Sequence, residues 1–327
     1  MSGRKEYIDV VAGIMILWMV VGHLHQVVGI EPIYPNVLFF FMPWFYYKAG
    51  ALSKERTLRE IANIGGGKFV KPFVVYGLIG QLILVACMVL EHETSLKPYL
   101  YSPIRSLALG GTIPGNPPLW FLPSLFTTQC MFAFLREKKV SVYVCAMIGL
   151  VGGLMLMLIN WEFVPVYIGS GILGVLYFAM GKILHKYEGN WKVLVGAVAL
   201  CAVLLLINHN PISDIRHIAQ FKGTLGDCMH GIGVALCGCF IIDALFGWLQ
   251  PLMKMPVLRW VGRNAMEFYM WHWIILLTVT RLLMGNVFNV WDEKWQFVIG
   301  GLSCLILISV VIVIKMKIKD IKLKNEK

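Results

Sequence analysis

Residues 7–29, YIDVVAGIMILWMVVGHLHQVVG, form one apolar stretch that carries Asp9, His23 and His25. A helix that crosses a bilayer needs about 20 mostly apolar residues, and this stretch has the length. Further stretches of the same kind lie at 33–51, 69–90, 119–135, 140–159, 163–181, 193–208, 228–248, 264–285 and 295–315. In hydrocarbon every backbone polar group must be satisfied within the chain, so such stretches fold as helices. The expected fold class is therefore all-α, a polytopic membrane bundle of about ten transmembrane helices. Charged residues make up only 14% of the chain, against about 25% in a soluble domain. No small-residue cleavage site follows a short apolar core, so the first stretch reads as a span and not as a removable signal.

The charge of +11 sorts by side. With the N-terminus inside, the inner segments hold 22 of the 29 Lys and Arg residues and the outer segments six. The positive-inside rule then places both termini in the cytoplasm. The excess charge is a topology signal, with anionic lipid headgroups as its counter-charge, and no nucleic-acid partner is expected. Residues 1–315 read as a single transmembrane domain and 316–327 as a basic cytoplasmic tail. The eight cysteines all lie in apolar stretches without a CxxC pair. They read as packing residues, and no metal is expected.

Ionisable residues inside a membrane helix mark candidate functional sites. At about 100° per residue, Asp9, Ala12 and His23 fall near one line of the first helix, while His25 points away from His23. His23 lies about 24 Å from the inner end of its helix, and His272 about 12 Å into the ninth span. The two are expected to bracket a passage through the membrane. Neutral imidazole is a natural general base for a hydroxyl. Tyr269 and His272, three apart, share a helix face; Arg263 and Glu267, four apart, are expected to pair. Asn264 is expected to cap that helix.

Other segments carry weaker signals. Pro43 predicts a kink in the second span. Lys48 near its inner end either snorkels to the surface or meets an anionic ligand. Ser53 to Glu60 reads as a surface amphipathic helix, and Gly65-Gly66-Gly67-Lys68 as a flexible turn without full phosphate-loop spacing. Trp120 and Phe121, after the long outer loop from Glu91 to Pro118, fit an interfacial aromatic belt or the wall of an acceptor site. His230, beside small residues, reads as a packed, hydrogen-bonded histidine.

Six segments in order carry a resemblance: EYIDVVAGIMILWMVVGH, FFFMPWFYYKAG, Lys71-Pro72, LWFLPSLF, YFAMGKIL and GRNAMEFYMWHW. Together with ten spans they resemble the integral-membrane acyltransferase family three, including its sugar O-acetyltransferase and fucose-acetylase-like branch. Two positions depart from the family pattern: Ala12 stands where Arg or Lys is usual, and Ala49 where Ser is usual. The resemblance implies transfer of an acyl group, commonly acetyl from cytoplasmic acetyl-CoA, to a hydroxyl of a cell-envelope glycan or exported sugar precursor. It implies a place in the bacterial inner membrane, with acyl-CoA, a glycan acceptor and membrane lipids as partners. In that frame His23 is the base, and His272 with Tyr269 orients the thioester or bonds the developing oxyanion. Lys48, Lys71, Arg259 and Arg263 meet the donor's headgroup, and Trp120 and Phe121 meet the acceptor. A transporter of an envelope precursor, using the same groups for binding and proton coupling, and a non-catalytic family member are the competing functions.

Overall fold

The computed structural model describes residues 6–28, 39–90, 95, 97–159, 163–209, 215–216, 218–250, 255–279 and 293–325. The described residues are helical with no strand. In chain order the helices are α1 (Glu6–Val28), α2 (Phe41–Leu52), α3 (Leu58–Gly65), α4 (Lys71–Leu90), α5 (Lys97–Arg105), α6 (Phe121–Glu137) and α7 (Val142–Ile159). They continue as α8 (Val166–Leu184), α9 (Trp191–Ile207), α10 (Leu225–Leu249), α11 (Pro256–Arg263), α12 (Ala265–Thr278) and α13 (Glu293–Asn325).

Among the described residues seven stretches are long and apolar enough to cross a membrane. They are Glu6–His23 of α1, the continuous run Leu58–Leu90, α6 with its preceding turn, α7, α8, α10 and the middle of α13. The other three expected spans correspond to α2 (12 residues), α9 (17) and α12 (14), each, over the described residues, shorter than those seven. The molecule is a multi-pass membrane protein. Helix α13 runs 33 residues without a break, about 50 Å against a hydrocarbon core of about 30 Å. The basic segment from Met316 to Asn325 is thus a continuation of the last helix.

Three local expectations change. Pro43 sits in the first turn of α2, where a missing N–H costs no helical bond, so it starts this helix without kinking it. Ser53 to Arg56 is not helical; α3 starts at Leu58 because Thr57 and Glu60 form a capping box. The Thr57 amide donates to the Glu60 carboxylate at 2.8 Å, and the Glu60 amide to the Thr57 hydroxyl at 3.2 Å. The glycine run is not a turn: α3 passes through a π-helical segment, Gly66–Val70, into α4. The Gly66 amide is bonded to the Ala62 carbonyl, as in any helix. Gly65 is needed because a Cβ there would lie 2.1 Å from the Phe126 ring of α6.

Small residues let backbones touch, which is how membrane helices pack without a hydrophobic drive between them. Helix α2 lies on α8, with Gly50 against the Phe178 carbonyl and Gly181 against the Tyr47 carbonyl. Helix α1 lies on α11, with Gly13 against the Leu258 carbonyl and Gly262 against that of Asp9. A Cβ at Gly262 would stand 1.7 Å from the Asp9 oxygen, so the backbones must part to admit it. Gly262→Ala is expected to cost about 1–3 kcal/mol or more, seen as a lower unfolding midpoint in detergent. Large aromatic and aliphatic side chains such as Trp44, Tyr46, Tyr47, Phe69 and Phe268 fill the centre. Leucines and valines of α7, α9 and α13 face outward, as expected against lipid. All eight cysteines are free and six are buried. His230 bonds the Leu204 carbonyl of α9 through Nε2 at 2.7 Å.

Candidate active site

Helices α1 and α12 bring the two candidate histidines together. The His23 and His272 rings stack with centroids 5.2 Å apart and planes 25° from parallel. Trp273 meets His23 edge-on at 5.5 Å. The histidines therefore share one level and do not bracket a passage. Depths counted from separate helix ends do not compare, because α12 starts beyond the first turn of α1: Gly262, just before it, packs on the Asp9 carbonyl and the Gly13 amide, and Arg263 Nε donates to Asp9 Oδ2 at 3.1 Å.

His272 is fully buried, at 0% exposure. Its Nδ1 lies 2.6 Å from the Tyr269 carbonyl oxygen. A carbonyl only accepts, so Nδ1 carries the proton. In the neutral ring the lone pair is then on Nε2, which has no partner among the described residues. A buried polar atom without a partner calls for an explanation, and a ligand donor is one. His23 is only half-buried. The side chain of His25 lies outside the described residues.

The Tyr269 hydroxyl is committed: it donates to the Pro118 carbonyl. Its ring lies 5.9 Å from that of His272 and meets Phe121 at 5.8 Å. As bonded, neither Nε2 of neutral His272 nor the Tyr269 hydroxyl has a proton for an oxyanion. Trp120 and Phe121 are both buried, so neither belongs to an exposed aromatic belt. The Arg216 guanidinium stands 5.9 Å over the Trp120 ring.

Two cavities lie along α2. One is an apolar slot of about 250 Å³ between α1, α2 and α12, lined also by Phe121 and Leu125 of α6, by Tyr269 and by Lys48. The other is a basin of about 640 Å³ under α2, α3 and α6, lined by Lys54, Arg56, Lys68 and Arg136 among others. Ala49 and Leu52 line both.

A family model described as an acyltransferase domain matches residues 5–313. The chain belongs to acyltransferase family 3. No curated protein matches it, and no solved structure does. Membership supports acyltransferase activity in general.

The two positions at which this acyltransferase departs from the family pattern, Ala12 and Ala49, both line the apolar slot. Three of the four cations expected to meet the donor already have carboxylate partners. Arg259 pairs with Glu6 and Arg263 with Asp9. Lys48 does not snorkel: it is 4% exposed and turns inward to Asp243 of α10 at 2.6 Å and Glu188 at 3.4 Å. Lys71 is exposed and lines neither cavity. Arg263 does not pair with Glu267, because a break at Asn264 puts the two on different helices. Glu267 accepts from Lys315 of α13 at 2.5 Å. Asn264 stands at the N-cap position of α12 but makes no side-chain cap; its side-chain amide donates to the Trp260 carbonyl of α11.

Asp243 and Glu188 were missed in the sequence. The signal was there for Asp243, an acid inside an apolar helix, by the same rule that picks out His23. Trp44 Nε1 donates to Asp243 at 2.9 Å. Glu188 accepts from the Tyr7 hydroxyl at 2.8 Å and bonds His185 Nδ1 at 2.8 Å. Burial pushes the Glu188 carboxyl up, but the His185 bond, the Lys48 charge and the Tyr7 bond outweigh it and hold it below its ordinary value of 4.5. A depressed carboxylate stabilises the fold above its unfolded value and loses that contribution as pH falls through its folded value. Wild type is therefore expected to exceed Glu188→Gln in thermal stability above pH 4.5, with the gap closing at lower pH in paired melting curves. A gap independent of pH down to 3 counts against an ionised Glu188.

Proposed function

We propose that this acyltransferase moves acetyl from cytoplasmic acetyl-CoA to a hydroxyl of a cell-envelope glycan or an exported sugar precursor, in a bacterial inner membrane with both termini cytoplasmic. The observation that carries the reading is the stacked histidine pair of α1 and α12, in which His272 is buried and its Nε2 has no partner among the described residues. His23, the more accessible ring, is the base toward the acceptor oxygen. His272 Nε2, as an acceptor, holds a ligand hydroxyl or N–H beside it. The acceptor hydroxyl gives its proton to His23 as its oxygen forms a bond to the thioester carbonyl. The carbon–sulfur bond then breaks, and the leaving thiolate takes the proton back. The products are an O-acetyl ester and free CoA thiol. Aromatic faces of Trp120 and Phe121 supply apolar surface on which a sugar ring can pack.

The test uses purified full-length protein in nanodiscs with labelled acetyl-CoA and cell-envelope glycan from the source. Label in the glycan, released by mild base as acetate, is the expected result. No transfer and no hydrolysis with any acyl-CoA, from protein that is properly folded, would refute the reading.

A further inference from the structure

Residues 112–118, TIPGNPP, are built into the bundle. Gly115 approaches α4 so closely that a Cβ there would lie 2.2 Å from the Gln81 amide nitrogen. Its own amide donates to Gln81 Oε1 at 3.0 Å. Gly80 of α4 leaves room for the next residue, since a Cβ at 80 would lie 3.1 Å from that of Asn116. Asn116 is thereby held between α4 and α12, at 0% exposure. Asparagine is mostly an exposed residue, so its burial in a segment rich in Pro and Gly needs a reason.

Part of the reason is a clamp on α12. Asn116 Nδ2 donates to the Met270 carbonyl at 3.1 Å, and the Tyr269 hydroxyl donates to the Pro118 carbonyl. The backbone of Asn116 is also engaged. Its amide donates to the Ile113 carbonyl at 2.9 Å, and its carbonyl accepts from the Leu119 amide at 3.2 Å. A carbonyl only accepts, so the side-chain nitrogen faces Met270 and the oxygen is the other end. That oxygen, Oδ1, has no partner among the described residues. The clamp uses the nitrogen alone and leaves Oδ1 unexplained.

His272 Nε2 is left over in the same way, on the same turn of α12. His272 Nδ1 is seated on the Tyr269 carbonyl, and Asn116 Nδ2 on the next carbonyl, that of Met270. Consecutive carbonyl oxygens of a helix lie about 3.5 Å apart, given a rise of about 1.5 Å and a turn of about 100° per residue. Two fully buried side chains are thus anchored next to each other, and each keeps an unused acceptor. Two buried acceptors call for two donors. We propose that one sugar residue of the acceptor supplies both: His272 Nε2 receives one non-reacting hydroxyl, Asn116 Oδ1 receives another, and Asn116 selects acceptors that carry it. The proposal rests on the acyltransferase reading, in which His23 takes the proton of the reacting hydroxyl. An acceptor without the selected hydroxyl leaves Oδ1 buried and unpaired, the situation in which a site discriminates most strongly.

The test supplies full-length protein in nanodiscs with labelled acetyl-CoA and, as acceptors, methyl glycosides of the glycan's constituent sugars and their monodeoxy forms. In wild type one deoxy position is expected to abolish transfer, and two others to lower kcat/KM by about tenfold or more each. Asn116→Leu and Asn116→Ser both remove the acceptor. Each is expected to lower kcat/KM for the parent glycoside by about tenfold or more and to erase the penalty at one of those two positions, leaving the other. A purely structural asparagine would lower transfer to every acceptor by one factor and leave both penalties in place, which overturns the proposal. If neither variant folds, as judged by melting curves, the amide is a clamp and nothing more, and the proposal is overturned. If wild type acetylates the glycan but accepts no methyl glycoside, or shows no deoxy penalty, the proposal fails and the acyltransferase reading stands. If wild type transfers acetyl to nothing and hydrolyses no acyl-CoA, both fall.

Discussion

His23→Ala is expected to lower acetyl transfer by about 10²–10⁴-fold, the range that a positioned general base contributes. The loss should appear in kcat more than in KM, because a general base acts on the proton that moves in the transition state. His272 gives the sharper discrimination. His272→Asn keeps an N–H near the position of Nδ1, able to donate to the Tyr269 carbonyl, but deletes the Nε2 lone pair. His272→Gln places an amide near Nε2 but abandons the Tyr269 bond. If Nε2 holds a ligand group, the asparagine variant folds and loses transfer. If His272 only anchors α12 to itself, the asparagine variant retains transfer and the glutamine variant melts early. Full activity in His23→Ala would remove the base assignment whatever His272 does.

The helices were legible because an apolar stretch of spanning length has few ways to fold in lipid, and α1, α6, α7, α8 and α10 lie close to their expected bounds. The histidines were legible because an ionisable residue inside such a stretch stands out. Their contact was not. It depends on where α12 starts relative to α1, which is set by Gly262 packed on the Asp9 carbonyl and by Arg263 bonded to Asp9. The cations were the least legible. Arg263 has a neighbour in sequence, Glu267, but its partner is 254 positions away. Lys48 has partners 140 and 195 positions away. A periodicity argument sees only the residues on its own helix, so it pairs what is near and leaves unpaired what another helix will meet. Ala12 and Ala49 show the reverse: as isolated departures from a pattern they look like losses, and in the fold they line one slot.

Lys48→Met is expected to be strongly destabilising. Lys48 bridges Asp243 and Glu188 where all three side chains are buried. Taking charges out of water is expensive, and attraction between them offsets the cost only while both signs are present. Methionine fills the same length without charge and leaves two carboxylates facing each other across α2, with Trp44, Tyr7 and His185 as their remaining contacts. Removing one partner of such a pair costs about 3–5 kcal/mol. The loss should be largely recovered in Lys48→Met combined with Asp243→Leu, since an apolar pair of similar volume is often neutral or better than a buried ion pair. Unfolding of the four proteins in detergent closes the cycle, and the coupling between the two positions is the difference that the single variants fail to explain. A Lys48→Met protein as stable as wild type would mean that Lys48 is not the counter-charge of Asp243. In that case its place on the wall of the slot, and not the ion cluster, would be the reason for a cation at this depth.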